Sequence, residues 1–270
     1  MSDPRLASSH LHANVERLEA QVALSWGQEA RALKTLGLVD GMSILEVGCG
    51  PGFVTERLLD MFPHSRVIAV EPDPGMSSLA RNRLREFLGT RLDIVDASIS
   101  MTFLEDDAFD FAFARYVFQH LTVPDIAVAD IFRVLQPGGR VVIIDVDDDI
   151  GGLQVPSFPA IRRAFQIMQE LQMRRGGDRK IGRKLWRLLA TAGFHDMELQ
   201  ALVVHSDDLG LEAFALQYDP RRVREWVVPG GLTMPDWESY CVEYDELRKT
   251  PDALILEIML VASAVKPVQN

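Results

Sequence analysis

The sequence predicts an α/β fold with a doubly wound, seven-stranded, mostly parallel sheet and helical insertions. Three observations carry this. Short Val-, Ile- and Phe-rich runs alternate with segments of helical period from Ser43 to Val146, the pattern of parallel strands joined by crossover helices. A glycine-rich run, Glu46-Val47-Gly48-Cys49-Gly50-Pro51-Gly52, closes the first of these strands. An acid, Glu71, closes the second, about 20 residues further on, where such sheets bind ligands beside their carboxyl ends.

Residues 15–36 place Val15, Leu18, Val22, Trp26, Ala30, Leu33 and Leu36 on one helical face, and Gly37 stops the helix. Ser43 to Val47 is a short apolar run that reads as a buried strand. Phe53 to Met61 follows as a helix, with Pro63 beyond its end. Arg66 to Val70 is a strand, Gly75 to Leu88 a helix and Arg91 to Val95 a strand. Phe109 to Ala114 is a strand and Val123 to Leu135 a helix. Pro137-Gly138-Gly139 reads as a turn before the strand Arg140 to Val146. Ile181 to Ala192 is a helix closed by Gly193, and Met197 to His205 and Ala253 to Val265 are further strands, the last closing the sheet. The whole chain, 1–270, is expected to form one domain. It comprises a helical segment over 1–35, a ligand-binding core over 36–149, and insertions over 150–175 and 207–251, the second with two or three helices.

The formal net charge of −11 repels a phosphate backbone and sets nucleic acid aside as a partner. The basic cluster Arg174, Arg175, Arg179, Lys180, Arg183 and Lys184 reads as a solvated loop and helix face. Two cysteines, Cys49 and Cys241, form no metal or disulfide pattern, which suits a reduced, cytoplasmic setting. The amino terminus carries no signal-peptide pattern, and the longest apolar run, Ala253 to Val265, holds Glu257 and is too short to cross a bilayer. No membrane partner is expected, and a homodimer stays open.

The glycine spacing is G-x-G-x-G (Gly48, Gly50, Gly52), whereas the dinucleotide fingerprint places its third glycine one residue later. Plain packing glycines in a non-catalytic binding protein remain an alternative. With the later motifs added, the chain resembles the class I S-adenosylmethionine-dependent methyltransferases, which are Rossmann-like, in their bacterial small-molecule and natural-product form. Ile44 to Gly52 matches the family's first motif, and Val67 to Met76 its second strand and acidic end. Asp96-Ala97-Ser98 matches the adenine position. Phe109 to Ala114 with Gln119-His120-Leu121 matches the fourth strand and its sequel, and Leu135 to Arg140 the turn before the fifth. Gly176 to Leu185 and Ala192-Gly193-Phe194 resemble the same part of small-molecule enzymes. The Asn-Pro-Pro-aromatic motif of DNA- and protein-glutamine-methylating enzymes is replaced by Ala114-Arg115-Tyr116-Val117.

The resemblance implies S-adenosyl-L-methionine as cofactor and S-adenosyl-L-homocysteine as product. Glu71, followed by Pro72, would accept the ribose hydroxyls. Asp96 would bond the adenine amino group beside Ala97 and Ser98, with Asp93 as the alternative acid. Gly48, Cys49, Gly50 and Gly52 would form the loop against the methionine and ribose parts, Cys49 as a small packing residue rather than a nucleophile. Glu46 would orient that loop or meet the amino group, Met76 would pack on adenine or serve the core, and Ala114 and Arg115 would lie near the methionine moiety.

Methyl transfer is an in-line displacement for which alignment in a dry site is the main task, and no metal is required. A hydroxyl or carbon acceptor also needs a base. His120, Tyr116 and Asp145 are the candidates. Asp147-Asp148-Asp149 reads as a polar strand exit and His205 as a loop residue. The 1–35 helix and the two insertions are expected to form a substrate lid and pocket, with Phe158, Phe165, Phe214, Tyr218 and Trp226 as acceptor contacts, or as a second small core. Arg221, Arg222 and Arg224 would hold an acidic substrate or line a solvated helix face. The expected activity is methylation of a small, largely apolar metabolite in secondary metabolism. Use of the same cofactor for cyclisation, decarboxylation or rearrangement, and a protein methyltransferase, are the alternatives.

Overall fold

The computed structural model describes residues 4–101 and 103–268. In chain order the elements are α1 (Pro4–Thr35), β1 (Ser43–Val47), α2 (Phe53–Met61), β2 (Arg66–Val70), α3 (Pro74–Arg83), β3 (Leu92–Val95), β4 (Phe109–Arg115), α4 (Pro124–Val134) and β5 (Leu135–Asp145). They continue with β6 (Gly152–Val155), α5 (Pro159–Arg174), α6 (Leu185–Thr191), β7 (His195–His205), α7 (Ser206–Leu209), α8 (Leu211–Ala215), α9 (Pro220–Val227), α10 (Met234–Lys249) and β8 (Leu254–Val265). The chain divides into two compact units. One comprises residues 28–147, 180–202 and 259–270; the other comprises 1–27, 148–179 and 203–258.

In the first unit the strand order is β3-β2-β1-β4-β5-β8, with β1 to β5 parallel and β8 antiparallel to β5. This is the doubly wound Rossmann-like sheet that the sequence predicts. β1 lies between β2 and β4, so it is buried on both faces, and its run Ile44-Leu45 has no exposed surface. α4 opens on Pro124, where the missing N–H costs nothing, and turns Ala127, Val128, Ile131 and Val134 onto the sheet. Those side chains join Leu45, Ala112, Ala114, Val141 and Ile143 in one core cluster.

Three expectations change. The sheet has eight strands among the described residues, not seven: β6 pairs with Leu254 to Glu257 of β8 in the second unit. Only four residues long and opening on Gly152, it carries no readable period. α3 ends at Arg83 rather than Leu88, because the Phe87 carbonyl accepts from Thr90, Arg91 and Leu92 and turns the chain back into β3. Pro137-Gly138-Gly139 is not a free turn. It is an irregularity inside β5, where the register steps from Phe109↔Leu135 to Phe111↔Arg140 and the backbones of Gly138 and Gly139 bond to Lys266.

In the second unit α5, α8, α9 and α10 pack on one another around Ile161, Ile167, Phe214, Val223, Val227 and Tyr240. Gly230 permits that packing, since a Cβ there would meet Leu171 Cδ1 at 2.6 Å and Ile167 Cγ2 at 2.8 Å. Among the described residues no helix is long and apolar enough to cross a membrane. Nor do any three His, Cys, Asp or Glu side chains group so as to hold a metal ion.

Candidate functional site

The glycine loop leaves β1 by bonding to the neighbouring strand: the N–H groups of Gly48 and Cys49 donate to Val70 O at 2.7 and 3.2 Å. Gly48, Gly50 and Gly52 all lie in the left-handed region, at φ +73°, +54° and +86°. Their surroundings differ. A Cβ on Gly48 would lie 2.4 Å from Val117 Cγ2, and one on Gly52 2.9 Å from Leu84 Cδ1. A Cβ on Gly50 would meet nothing within 4 Å, so open space borders the loop there.

Glu71 follows β2 and is nearly buried. Its Oε2 accepts from Gly50 N at 2.8 Å and its Oε1 from Asp73 N at 2.9 Å. An ionised carboxylate has about four lone-pair sites, so two stay available for hydroxyl donors. Asp73 caps α3 through Gly75 N and Met76 N, which sets Met76 half-buried in its first turn rather than in the core, while Pro72 is exposed.

Glu46 is buried at the end of β1 with an Oε2 that has no hydrogen-bond partner. Burial pushes its pKa up to about 7; the Thr55 hydroxyl and Arg115 pull it down and the Glu71 charge adds to the rise. A cationic ligand group is the natural complement of such a carboxylate. Burial and the charges of Glu46 and Glu71 push the Cys49 thiol up as well, so it is not an activated nucleophile.

Asp96 follows β3, is exposed, and pairs with Arg81 Nη1 at 2.8 Å; that contact holds its pKa below the usual range. Arg81 is anchored in turn on Ile94 O. Asp93, the alternative acid, is about half exposed and paired with Arg66 at 2.6 Å. The Ala97 N–H donates to Val95 O, and Ser98 Oγ accepts from Ser100 N.

At the end of β4, Ala114 is fully buried. Arg115 forms a buried ion pair with Glu29 of α1, its Nε donating to both carboxylate oxygens at 2.8 and 2.9 Å. Burial opposes the charge, but Glu29 and neighbouring groups hold the guanidinium pKa above its usual value. Arg115 also stacks 4.5 Å from the Tyr116 ring. Tyr116 itself has φ +55°, a conformation costly for a bulky residue. His120 is exposed on the 3₁₀ turn Phe118–His120. Asp145 is fully buried at the end of β5, where Oδ2 accepts from Gln119 N at 3.2 Å and Oδ1 from Val146 N at 2.8 Å. Its visible work is to hold that turn.

Two readings of charge are corrected. Asp147 is buried and paired with Arg183, and Asp148 is gripped by Arg179, so neither the acidic strand exit nor the basic cluster is simply solvated. His205 pairs with Asp208 at 3.1 Å. In the second unit Phe158, Phe214 and Tyr218 are buried, and Phe165 lies 5.3 Å from the Tyr218 ring. Trp226 stands apart from them, 42% exposed under Arg175. Glu29 and Arg81 escaped the sequence reading, because nothing local ties Glu29 to a residue 86 positions away or Arg81 to one 15 away.

Residues 45–143 match the methyltransferase domain family. The chain is 34% identical over 163 residues to an uncharacterized 37.1 kDa protein in transposon TN4556 of Streptomyces fradiae, covering 60% of this chain and 46% of that protein. It is 26% identical over 200 residues to a malonyl-[acyl-carrier protein] O-methyltransferase of Paenibacillus sp. (strain JDR-2), covering 72% and 68%. Among solved structures it is similar to Haemonchus contortus phosphoethanolamine N-methyltransferase 2 in complex with S-adenosyl-L-methionine, with a TM-score of 0.60 and 20% identity, covering 90% of this chain and 53% of that one. The chain thus spans about half the length of the transposon protein and of the Haemonchus enzyme.

Proposed function

We propose that this chain, which carries a class I S-adenosylmethionine-dependent methyltransferase domain over residues 45–143, methylates a small, largely apolar metabolite in secondary metabolism. The observation that supports donor use is Glu71: its two oxygens are pre-aimed by Gly50 N and Asp73 N at the mouth of the glycine loop. When bound, the cofactor supplies an electrophilic methyl group on a sulfonium. In this reading Glu71 takes the ribose hydroxyls, and Glu46, buried with its Oε2 unpartnered, faces the cationic end. Asp96, with Ala97 and Ser98 beside it, borders adenine, with Met76 against the ring. Gly48, Gly50 and Gly52 keep the loop close to the ligand.

For the acceptor's proton we assign His120 as base. It is exposed, and it is carried on a turn that Asp145 fixes through Gln119 N. Asp145 is then a positioning residue, and strained Tyr116 shapes the exit of β4. Acceptor recognition is assigned to residues 150–175 and 207–251, with α1 as a lid.

Incubation with methyl-labelled donor and a panel of hydroxyl, amine and carbon acceptors tests the reading. Label in a small product with equimolar S-adenosyl-L-homocysteine is expected; tight donor binding with no product from any class would sink it. With an active hydroxyl or carbon acceptor, His120→Ala is expected to lower kcat by roughly 10²-fold or more while product binding stays unchanged. An unaltered kcat would move the base elsewhere.

A further inference from the structure

The second unit holds a polar cluster that the cofactor reading does not use. α9 carries three arginines, and they divide sharply. Arg221 is exposed and tied to Asp219, while Arg224 is exposed. Arg222 is half-buried beside Val223, which has no exposed surface. Its Nη2 donates to the Gln217 carbonyl, and its Nε is buried with no hydrogen-bond partner. No carboxylate forms an ion pair with it among the described residues; the nearest acid on its own helix start, Asp219, is spent on Arg221 N and on the Arg221 guanidinium. A buried guanidinium N–H with no acceptor and no counter-charge is costly unless a ligand completes it.

β6 and β8 bring further polar groups to this cluster. In the antiparallel β6–β8 pair, Glu257 stands opposite Gly152 and Ile255 opposite Gln154, so Glu257 and Gln154 are diagonal neighbours on one face. Gly152 puts no side chain beside the Glu257 carboxylate, and a Cβ there would lie 2.4 Å from Leu256 O. Tyr218 is nearly buried, its carbonyl accepts from Tyr240 Oη at 2.7 Å, and its ring lies 5.3 Å from Phe165. Arg179 is held by both oxygens of Asp148. The charges communicate: burial and the Arg179 charge hold the Arg222 pKa below its usual value. Burial also pushes Glu257 up to about 7, which Arg179 opposes. Tyr218 is pushed up by burial and then by Glu257, against Gln154 and Arg222.

We propose that Arg222, with Arg179, Tyr218 and Gln154 around it and Phe165 as an apolar wall, binds one anionic group, a carboxylate or a phosphate, carried by an otherwise apolar methyl acceptor. The planar guanidinium fork matches both groups. As a statement about the acceptor this rests on the methyltransferase reading; as an anion site it does not. Glu257 sets the selectivity, because its ionised carboxylate competes for the same cations.

Benzoate and phenyl phosphate, titrated into the full chain by calorimetry, test it and tell the two groups apart. Saturable one-to-one binding of at least one probe is expected. Arg222→Met should weaken it by roughly tenfold or more, and Glu257→Gln should tighten it. Failure of both probes to saturate the wild-type chain, or equal affinity in Arg222→Met, overturns the site. If Arg222→Met does not fold, Arg222→Lys decides: retained charge without the fork should still weaken binding, and an unchanged affinity refutes the assignment. S-adenosyl-L-homocysteine binding, measured on the same samples, separates the two readings. A chain that binds it but ignores both anions loses only this site, whereas a chain that binds the anions but not S-adenosyl-L-homocysteine loses the donor reading instead.

Discussion

Glu46 and Glu71 stand at the carboxyl ends of adjacent parallel strands but differ in environment. Glu71 is satisfied by two amides and keeps acceptor capacity for a ligand. Glu71→Ala is therefore expected to weaken S-adenosyl-L-homocysteine binding by about 2–3 kcal/mol, read by calorimetry; an unchanged dissociation constant would put the ribose elsewhere. Glu46 is buried without a full set of partners, and its pKa rises from 4.5 to about 7. The sign follows directly. The folded state holds this proton more tightly than the unfolded chain, so the stability it contributes is full below about pH 4.5 and is lost as pH rises to about 7. Glu46→Gln should accordingly be more stable than wild type at pH 8, by on the order of 2–3 kcal/mol, with no gain at pH 4. Urea unfolding at the two pH values checks this. A gain of equal size at both would show that the carboxylate's charge is not the cause.

The element that most depends on a distant partner is β4. Its carboxyl end delivers Arg115 into a pair with the fully buried Glu29, on the part of α1 that belongs to the same unit. Breaking such a pair strands a buried charge. Glu29→Gln is expected to cost about 3–5 kcal/mol of stability in urea unfolding, and a Glu29→Leu, Arg115→Met double variant should recover most of it. A single-variant loss below about 1 kcal/mol would mean that water reaches the pair. The short elements tell a similar story from the other side. β6 was not legible because four residues facing one ladder leave no period to read. The Pro137–Gly139 irregularity was mistaken for a turn because its bonds go to Lys266, more than a hundred residues away. β1, β2 and α2, by contrast, were readable to the residue, since a strand buried on both faces demands an unbroken apolar run.

At the scale of the whole molecule, α1 is continuous across residues that belong to two compact units: up to Gly27 it counts with one, and from Gln28 with the other. If α1 acts as a lid, amide exchange over residues 5–30 should slow when S-adenosyl-L-homocysteine is added, and exchange indifferent to the ligand would remove that role. The amino-acid sequence by itself determined the doubly wound sheet, the glycine loop with Glu71 at its side, and the likeness to the methyltransferase domain family over residues 45–143, because these rest on local periods and on closely spaced motifs. Only the tertiary structure decided which charges are buried and what they meet. It showed Arg115 taken by Glu29, Asp145 taken by backbone amides, and Arg222 half-buried with its Nε enclosed while Arg221 and Arg224 on the same short helix are exposed. The physical reason is that the cost of a charge depends on the water and partners around it, which arrive from segments far apart in the chain.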